Sequence, residues 1–80
     1  MQVEVRLFAT LRRYLPGLTA GQAQRLTLPD GATVADLLAA LGVPDSESQH
    51  AFVNDFGVEL NRVLHEGDRV GVFPQVGGGA

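Results

Sequence analysis

A chain of 80 residues with a net charge of −3 and 45% apolar residues makes one small globular domain, and its acidic balance excludes the clustered basic excess of a nucleic-acid binder. Cysteine is absent, so disulfides, thiolate nucleophiles and thiolate metal ligands are excluded. Neither a signal-peptide core nor an eighteen-residue apolar run occurs, so a cytoplasmic protein without membrane contact is expected. All six basic residues are arginine, which leaves no ε-amine for isopeptide attachment to the chain itself. Codon bias is the simplest origin of that composition.

Residues 2–8 alternate, with Val3, Val5 and Leu7 on one face and Gln2, Glu4 and Arg6 on the other, which predicts a half-buried strand. Leu11, Tyr14 and Leu15 then fall at helical spacing in a short helix over 10–15, stopped by Pro16 and Gly17. After a loop at 18–22, residues 23–28 read as a second strand with Leu26 and Leu28 inward, closed by the turn Pro29, Asp30, Gly31. The main helix spans 33–41, where Val34, Leu37, Leu38 and Leu41 make one apolar stripe. Thr33 is the N-cap, and Asp36 stands where a capping box places Glu or Gln and suits the positive helix end. Gly42 fits the left-handed position after the helix, and Pro44 stops it from resuming.

Residues 45–49 read as a polar loop, 51–54 as a short strand, 54–57 as a turn and Val58 with Glu59 as another short strand. Leu60, Val63 and Leu64 are expected to form a helical turn that plugs one end of the core. Residues 65–68 read as a tight turn and 69–73 as the last strand. That strand is apolar nearly throughout, so a central place in the sheet is expected, and the crossover through the helix permits it to run parallel to a neighbour. One amphipathic helix on one sheet makes a two-layer α+β domain.

Beyond Phe73 and Pro74 the chain runs through Gln75 and Val76 into Gly77, Gly78, Gly79 and Ala80. Ordering glycines costs the most backbone entropy, so the run is either a frayed terminus or a thread. A thread without Cβ atoms enters a narrow cleft on another protein and delivers its terminal carboxylate there. From Val76 onward it reaches about 17 Å when extended. Phe8, Phe73, Pro74 and Val76 form a candidate apolar patch at its root, with at least one phenylalanine exposed. His50 and His65 lack a second-ligand pattern and read as surface residues, not metal ligands. Asp45, Glu47, Asp55, Glu59 and Glu66 read as a solvated acidic face, and Arg12 and Arg13 as exposed helix charges.

The order and spacing of several short stretches carry a family resemblance over essentially the whole chain. These are Val5 to Arg12 (VRLFATLR), Gly31 to Leu38 (GATVADLL), Val53-Asn54, Leu64 to Val70 (LHEGDRV) and Phe73 to Gly79 (FPQVGGG). Together they resemble the ubiquitin-like β-grasp sulfur carriers of the MoaD/ThiS type, and the opening stretch and Phe-Pro tail are most similar to the small subunit of molybdopterin synthase. The resemblance implies a β-grasp domain over 1–76 with a flexible glycine tail over 77–80. It implies that a separate ATP-dependent enzyme adenylates the terminal glycine carboxylate and that a sulfur source then converts it to a thiocarboxylate. The chain would bind no cofactor or metal and supply no acid or base.

Gly79, with Gly78 before it, matches the reactive terminal glycine. Phe8, Phe73, Pro74, Val76 and Gly77 would meet the activating enzyme and a synthase large subunit. Two departures stand out: Gln75 replaces a second proline, and Ala80 follows the glycine pair. Some relatives carry such extensions, which a metalloprotease trims, so the competent form is expected to end at Gly79. Sulfur delivery to thiamine, cysteine or tRNA thiolation, a ubiquitin-like protein modifier, and a β-grasp binding module with an inert tail are the alternatives.

Overall fold

The computed structural model describes residues 1–14, 22–44 and 50–74. Strand β1, Gln2–Leu7, buries Val3, Val5 and Leu7 and turns the alternate residues away. It is followed by a 3₁₀ helix at Ala9–Tyr14, with Leu11 as its buried residue. The short helix expected over 10–15 is thus of the tighter 3₁₀ type and starts one residue earlier. Ala9 enters it with a φ of 53°, and the Leu11 amide donates to the Phe8 carbonyl at 3.1 Å. So short a segment is held by one buried leucine, not by a helical ladder. The Pro16-Gly17 stop and the loop at 18–21 lie outside the described residues.

Strand β2, Gln24–Thr27, is shorter than expected: Leu26 is half-buried, and the buried Leu28 lies just past its end. Helix α1, Val34–Leu41, carries both halves of a capping box. Thr33 Oγ1 accepts from the Asp36 amide at 3.2 Å, and Asp36 Oδ2 accepts from the Thr33 amide at 2.9 Å. At the other end Gly42 adopts a φ of 79°, and the Gly42 and Val43 amides donate to the Ala39 and Leu38 carbonyls at 3.1 and 2.9 Å.

The segment over 60–64 corrects the expected helical plug. It lies alongside the helix entry: Val63 bridges to Thr33, and the Arg62 and Leu60 carbonyls accept from the Val34 and Ala35 amides at 3.0 and 2.8 Å. A helix leaves its first four amides without internal acceptors. Here the Val34 and Ala35 amides use this segment, while the Thr33 and Asp36 amides use each other's side chains. Leu64 is buried and Leu60 half-buried, but Val63 is exposed.

The strands β3, His50–Val53, and β4, Phe56–Val58, form a hairpin in which Val53 pairs with Phe56. The turn is tighter than the expected 54–57, and β4 starts two residues earlier than expected. Asn54 and Asp55 both hold positive φ, 51° and 73°, which suits a two-residue turn matched to the twist of the strands. The last strand, β5, Arg69–Phe73, lies at the sheet centre as expected. The order is β2-β1-β5-β3-β4, with β1 and β5 parallel and the other pairs antiparallel. This mixed sheet with one helix is the expected α+β, ubiquitin-like β-grasp arrangement. Val34, Leu37 and Leu38 of α1 join Val3, Val5, Leu7, Val53, Val70 and Val72 in one core. Among the described residues no helix is long and apolar enough to cross a membrane.

The tight turn at 65–68 contains a buried carboxylate. Asp68, 8% exposed, accepts from the His65 amide at 2.8 Å and from Asn54 Nδ2 at 3.0 Å. Asn54 Oδ1 in turn accepts from the Arg69 amide at 3.0 Å. One side chain thus ties the hairpin turn to the start of β5. Glu66 also departs from a merely solvated acidic face, since its carboxylate accepts from the Gln2 amide at 2.8 Å. Asp55 and Glu59 are exposed as expected, and Asp45 and Glu47 lie outside the described residues.

Leu38 is 1% exposed, so Leu38→Ala should lower unfolding free energy by about 2–5 kcal/mol in urea titration. Asp68→Ala leaves the part-buried Asn54 and His65 donors without this acceptor and should cost about 1–3 kcal/mol, measured the same way; an unchanged midpoint would show that these bonds contribute nothing.

Candidate functional site

The alternation that fills the core with Val5, Leu7, Val70 and Val72 sends their neighbours to the opposite side of the sheet. On β5 those are Arg69, Gly71 and Phe73, and on β3 they are His50 and Phe52. Leu7 pairs with Val72, and the Phe8 amide donates to the Val72 carbonyl at 3.1 Å, so the parallel ladder runs on and sets Phe8 beside Phe73. The two rings stack with centroids 4.3 Å apart and planes 4° apart. Phe52 meets Phe73 edge-on at 5.6 Å and 86°. Offset stacking and edge-to-face contact are the two arrangements that aromatic quadrupoles favour.

Gly71 is the floor of this face. It pairs with Arg6 on one side and Phe52 on the other. A Cβ there would stand 3.3 Å from Phe8 Cε2. The missing side chain lets the Phe8 ring lie over the central strand. Arg6, His50, Asp55, Arg69 and Pro74 surround the rings in one shallow depression. Arg69 Nη2 is 3.8 Å from Asp55 Oδ2, and both side chains are largely exposed, so water screens the pair and it adds little stability. Phe73 and Phe52 are each 37% exposed, and Phe8 is half-buried. An exposed aromatic cluster rimmed by charge marks an interaction surface.

Three of the expected partner-binding residues, Phe8, Phe73 and Pro74, come together here. The other two, Val76 and Gly77, lie outside the described residues, as do Gly78, Gly79, Ala80 and the boundary between 76 and 77. Phe52, Gly71 and Arg6 were missed. The signal for Phe52 was present: it alternates with Ala51 and Val53, which are buried. Arg12 and Arg13 are exposed, and the Arg13 guanidinium sits 5.1 Å over the Tyr14 ring. His65 is exposed and stands 3.9 Å from Asp68. Among the described residues no cluster of His, Asp or Glu could hold a metal ion.

The family model described as the ThiS family matches residues 5–79. This chain belongs to the ThiS family. No curated protein matches this ThiS-family chain. Among solved structures it is similar to one assigned as molybdopterin converting factor, subunit 1, from Pyrococcus furiosus, with 29% identity over 95% of this chain and 99% of that one and a TM-score of 0.71. Small archaeal modifier protein 1 of Haloferax volcanii shares its fold at 23% identity, over 94% of this chain and 98% of that one, with a TM-score of 0.71. So does a chain from a complex of subunits 1 and 2 of molybdopterin-converting factor from Helicobacter pylori, at 23% identity, over 95% and 96%, with a TM-score of 0.61.

Because Phe73 keeps a wet edge, Phe73→Ala should cost about 2–3 kcal/mol in urea titration, two aromatic contacts plus partial burial. A loss above about 3 kcal/mol would mark the ring as core.

Proposed function

We propose that this chain is a sulfur carrier whose terminal glycine carboxylate is activated by a partner enzyme and converted to a thiocarboxylate, with molybdopterin synthesis as the destination. The observation that carries the reading is the stacked aromatic face at the end of the central strand, beyond which the sequence runs through Gln75 and Val76 into three glycines and an alanine. The face addresses the chain to a partner, and the glycines fit a cleft too narrow for side chains. The Pyrococcus structure's assignment as a converting-factor subunit supports the molybdopterin destination. The Helicobacter complex supports a second subunit, the synthase large subunit, as partner. The modifier named in the Haloferax structure supports a second reading, attachment to target proteins, which uses the same activated carboxyl group. Thiamine, cysteine or tRNA thiolation would likewise use it.

The chemistry is acyl activation. A tail carboxylate oxygen attacks the α-phosphorus of ATP, and pyrophosphate leaves. A sulfur nucleophile from the sulfur source then forms the C–S bond at the acyl carbon, and AMP leaves with the C–O electron pair. With hydrosulfide as that nucleophile the product is the thiocarboxylic acid, which loses its proton to water and is anionic and nucleophilic. The partner supplies ATP binding, acid–base groups and charge stabilisation. This chain supplies the carboxylate, the reach and the docking face, and holds no cofactor of its own. Gly79 is the reactive residue, with Gly78 and Gly77 in the cleft, after a metalloprotease has removed Ala80.

Full-length protein and a form ending at Gly79, each with activating enzyme, ATP and a sulfur source, should differ in oxygen-to-sulfur exchange by mass spectrometry. The methyl of Ala80 next to the carboxylate should slow the full-length chain about ten- to a hundred-fold. Equal rates would make Ala80 the carrier residue. Exchange on neither form would favour a binding module with an inert tail. Phe52→Asp and Val76→Asp should each weaken binding of the activating enzyme in a titration while far-UV circular dichroism stays unchanged. Unaltered affinity in both would remove this face from the interface.

A further inference from the structure

Two glycines stand in the outer face of the sheet, one on each side of Phe52. The ladder pairs Phe52 with Gly71 of β5 and with Gly57 of β4. Neither has a positive φ, so no left-handed turn calls for them. Glycine weakens a strand interior, and one that no bulge or bend requires marks a place where a ligand or another chain approaches closely. Here the rings lean over the gaps. A Cβ at Gly57 would stand 3.5 Å from Phe52 Cε1, as one at Gly71 would meet Phe8 Cε2. The rings thus lie low and leave an open apolar depression over Gly71.

The rim of that depression is charged, and unevenly so. Its lining holds two arginines, Arg6 and Arg69, against one carboxylate, Asp55, on a chain whose overall charge is −3. Arg69 is also flanked by Glu4 in the β1–β5 register, and Glu4 in turn by Arg25 of β2. The Arg69 guanidinium stands 3.8 Å from Asp55 Oδ2, beyond hydrogen-bond length, with the two side chains 56% and 94% exposed. Water screens that pair. A carboxylate that arrives on a covering chain meets the same guanidinium at lower dielectric and can form two parallel hydrogen bonds with it. Arg69 and Gly71 are two residues apart on one strand and share its outer face, about 7 Å from each other.

We propose that the depression binds an extended segment of a partner protein in which an apolar side chain and a carboxylate lie two residues apart. Such spacing turns both groups to one side of the segment. The apolar side chain sits over Gly71 against the Phe8 and Phe52 rings, and the carboxylate takes Arg69 from Asp55. Asp55 is then a stand-in for the partner's acid and competes with it. This rests on the function proposed above only in taking the aromatic face as the docking face.

The test is an NMR titration of the folded, isotope-labelled full-length chain with the peptide acetyl-Thr-Leu-Thr-Glu-Thr-amide and with versions carrying Gln or Lys in place of Glu. The Glu peptide should shift the amides of Phe52, Arg69 and Gly71. It should bind about two- to five-fold more tightly than the Gln peptide, the range of an exposed ion pair, and the Lys peptide should bind most weakly. Two variants should act in opposite directions. Arg69→Gln should erase the preference for Glu over Gln. Asp55→Asn, which tolerates the left-handed turn position, should raise affinity for the Glu peptide about two-fold or more; a merely structural role for Asp55 would not raise it. Gly71→Ala should lower affinity for all three peptides about ten-fold, by filling the floor, while urea titration shows the fold retained. Equal affinity for the Glu and Gln peptides, no gain in Asp55→Asn, or no shifts at millimolar peptide would each overturn the proposal. Line widths that grow with protein concentration in the absence of peptide would give the face to a second copy and overturn it too. Selective binding by a chain that shows no oxygen-to-sulfur exchange with activating enzyme would support the site and overturn the carrier reading. Exchange without selectivity would do the reverse.

Discussion

The parallel pairing of β1 with β5 is the constraint on which the rest of the molecule depends. Its register sets Val5 against Val70 and Leu7 against Val72. Those four side chains line the floor of the core on which α1 packs. A one-residue slip would exchange the two faces of the sheet. It would move Gly71 and Phe73 into the core and the valines into water. The same register therefore determines burial on one side and the exposed aromatic face on the other. Neither face can be altered by sliding a strand without losing the other.

Around that pair the molecule divides its tasks. The helix is held by local devices at both ends, the Thr33–Asp36 box and Gly42, and by the carbonyls of residues 60–64. The hairpin is held to the central strand by Asp68 acting through Asn54. Within the described residues, nothing resembles a catalytic constellation, and the carrier reading asks for none. A carrier needs a rigid surface that partners recognise and a carboxylate that reaches them. The rigid part is supplied by a well-packed sheet whose outer face carries stacked rings bordered by charged side chains.

Much of this was legible from residue order. The helix was readable because its signals are local: a stripe at helical spacing, a cap at Thr33 and a glycine at 42. The central place of β5 followed from a strand that is apolar nearly throughout. The hairpin was harder. Its left-handed pair is Asn54 and Asp55, with no glycine in either position, so the turn read as wider than it is and β4 as later. The role of residues 60–64 was hidden because it answers a need elsewhere, the unpaired amides of α1. Phe8, Phe73 and Pro74 were readable as a patch from their closeness to the tail. Phe52 joins them only through the β3–β5 register, and Gly71 matters only because a neighbouring strand carries a ring that leans over it.

The central pair joins the first strand of the described chain to its last, residue 4 to residue 69. Such pairing closes a long loop before any contact rewards it, which makes folding slow relative to helical domains. It also imposes an order on synthesis. A ribosome must release residues 69–73 before β1 finds its neighbour, and until then Val3, Val5 and Leu7 lack half of their packing. The aromatic face is completed in the same event, because Phe73 arrives with the strand that closes the sheet. A nascent or truncated chain thus lacks the stacked rings, which come together only in the finished molecule.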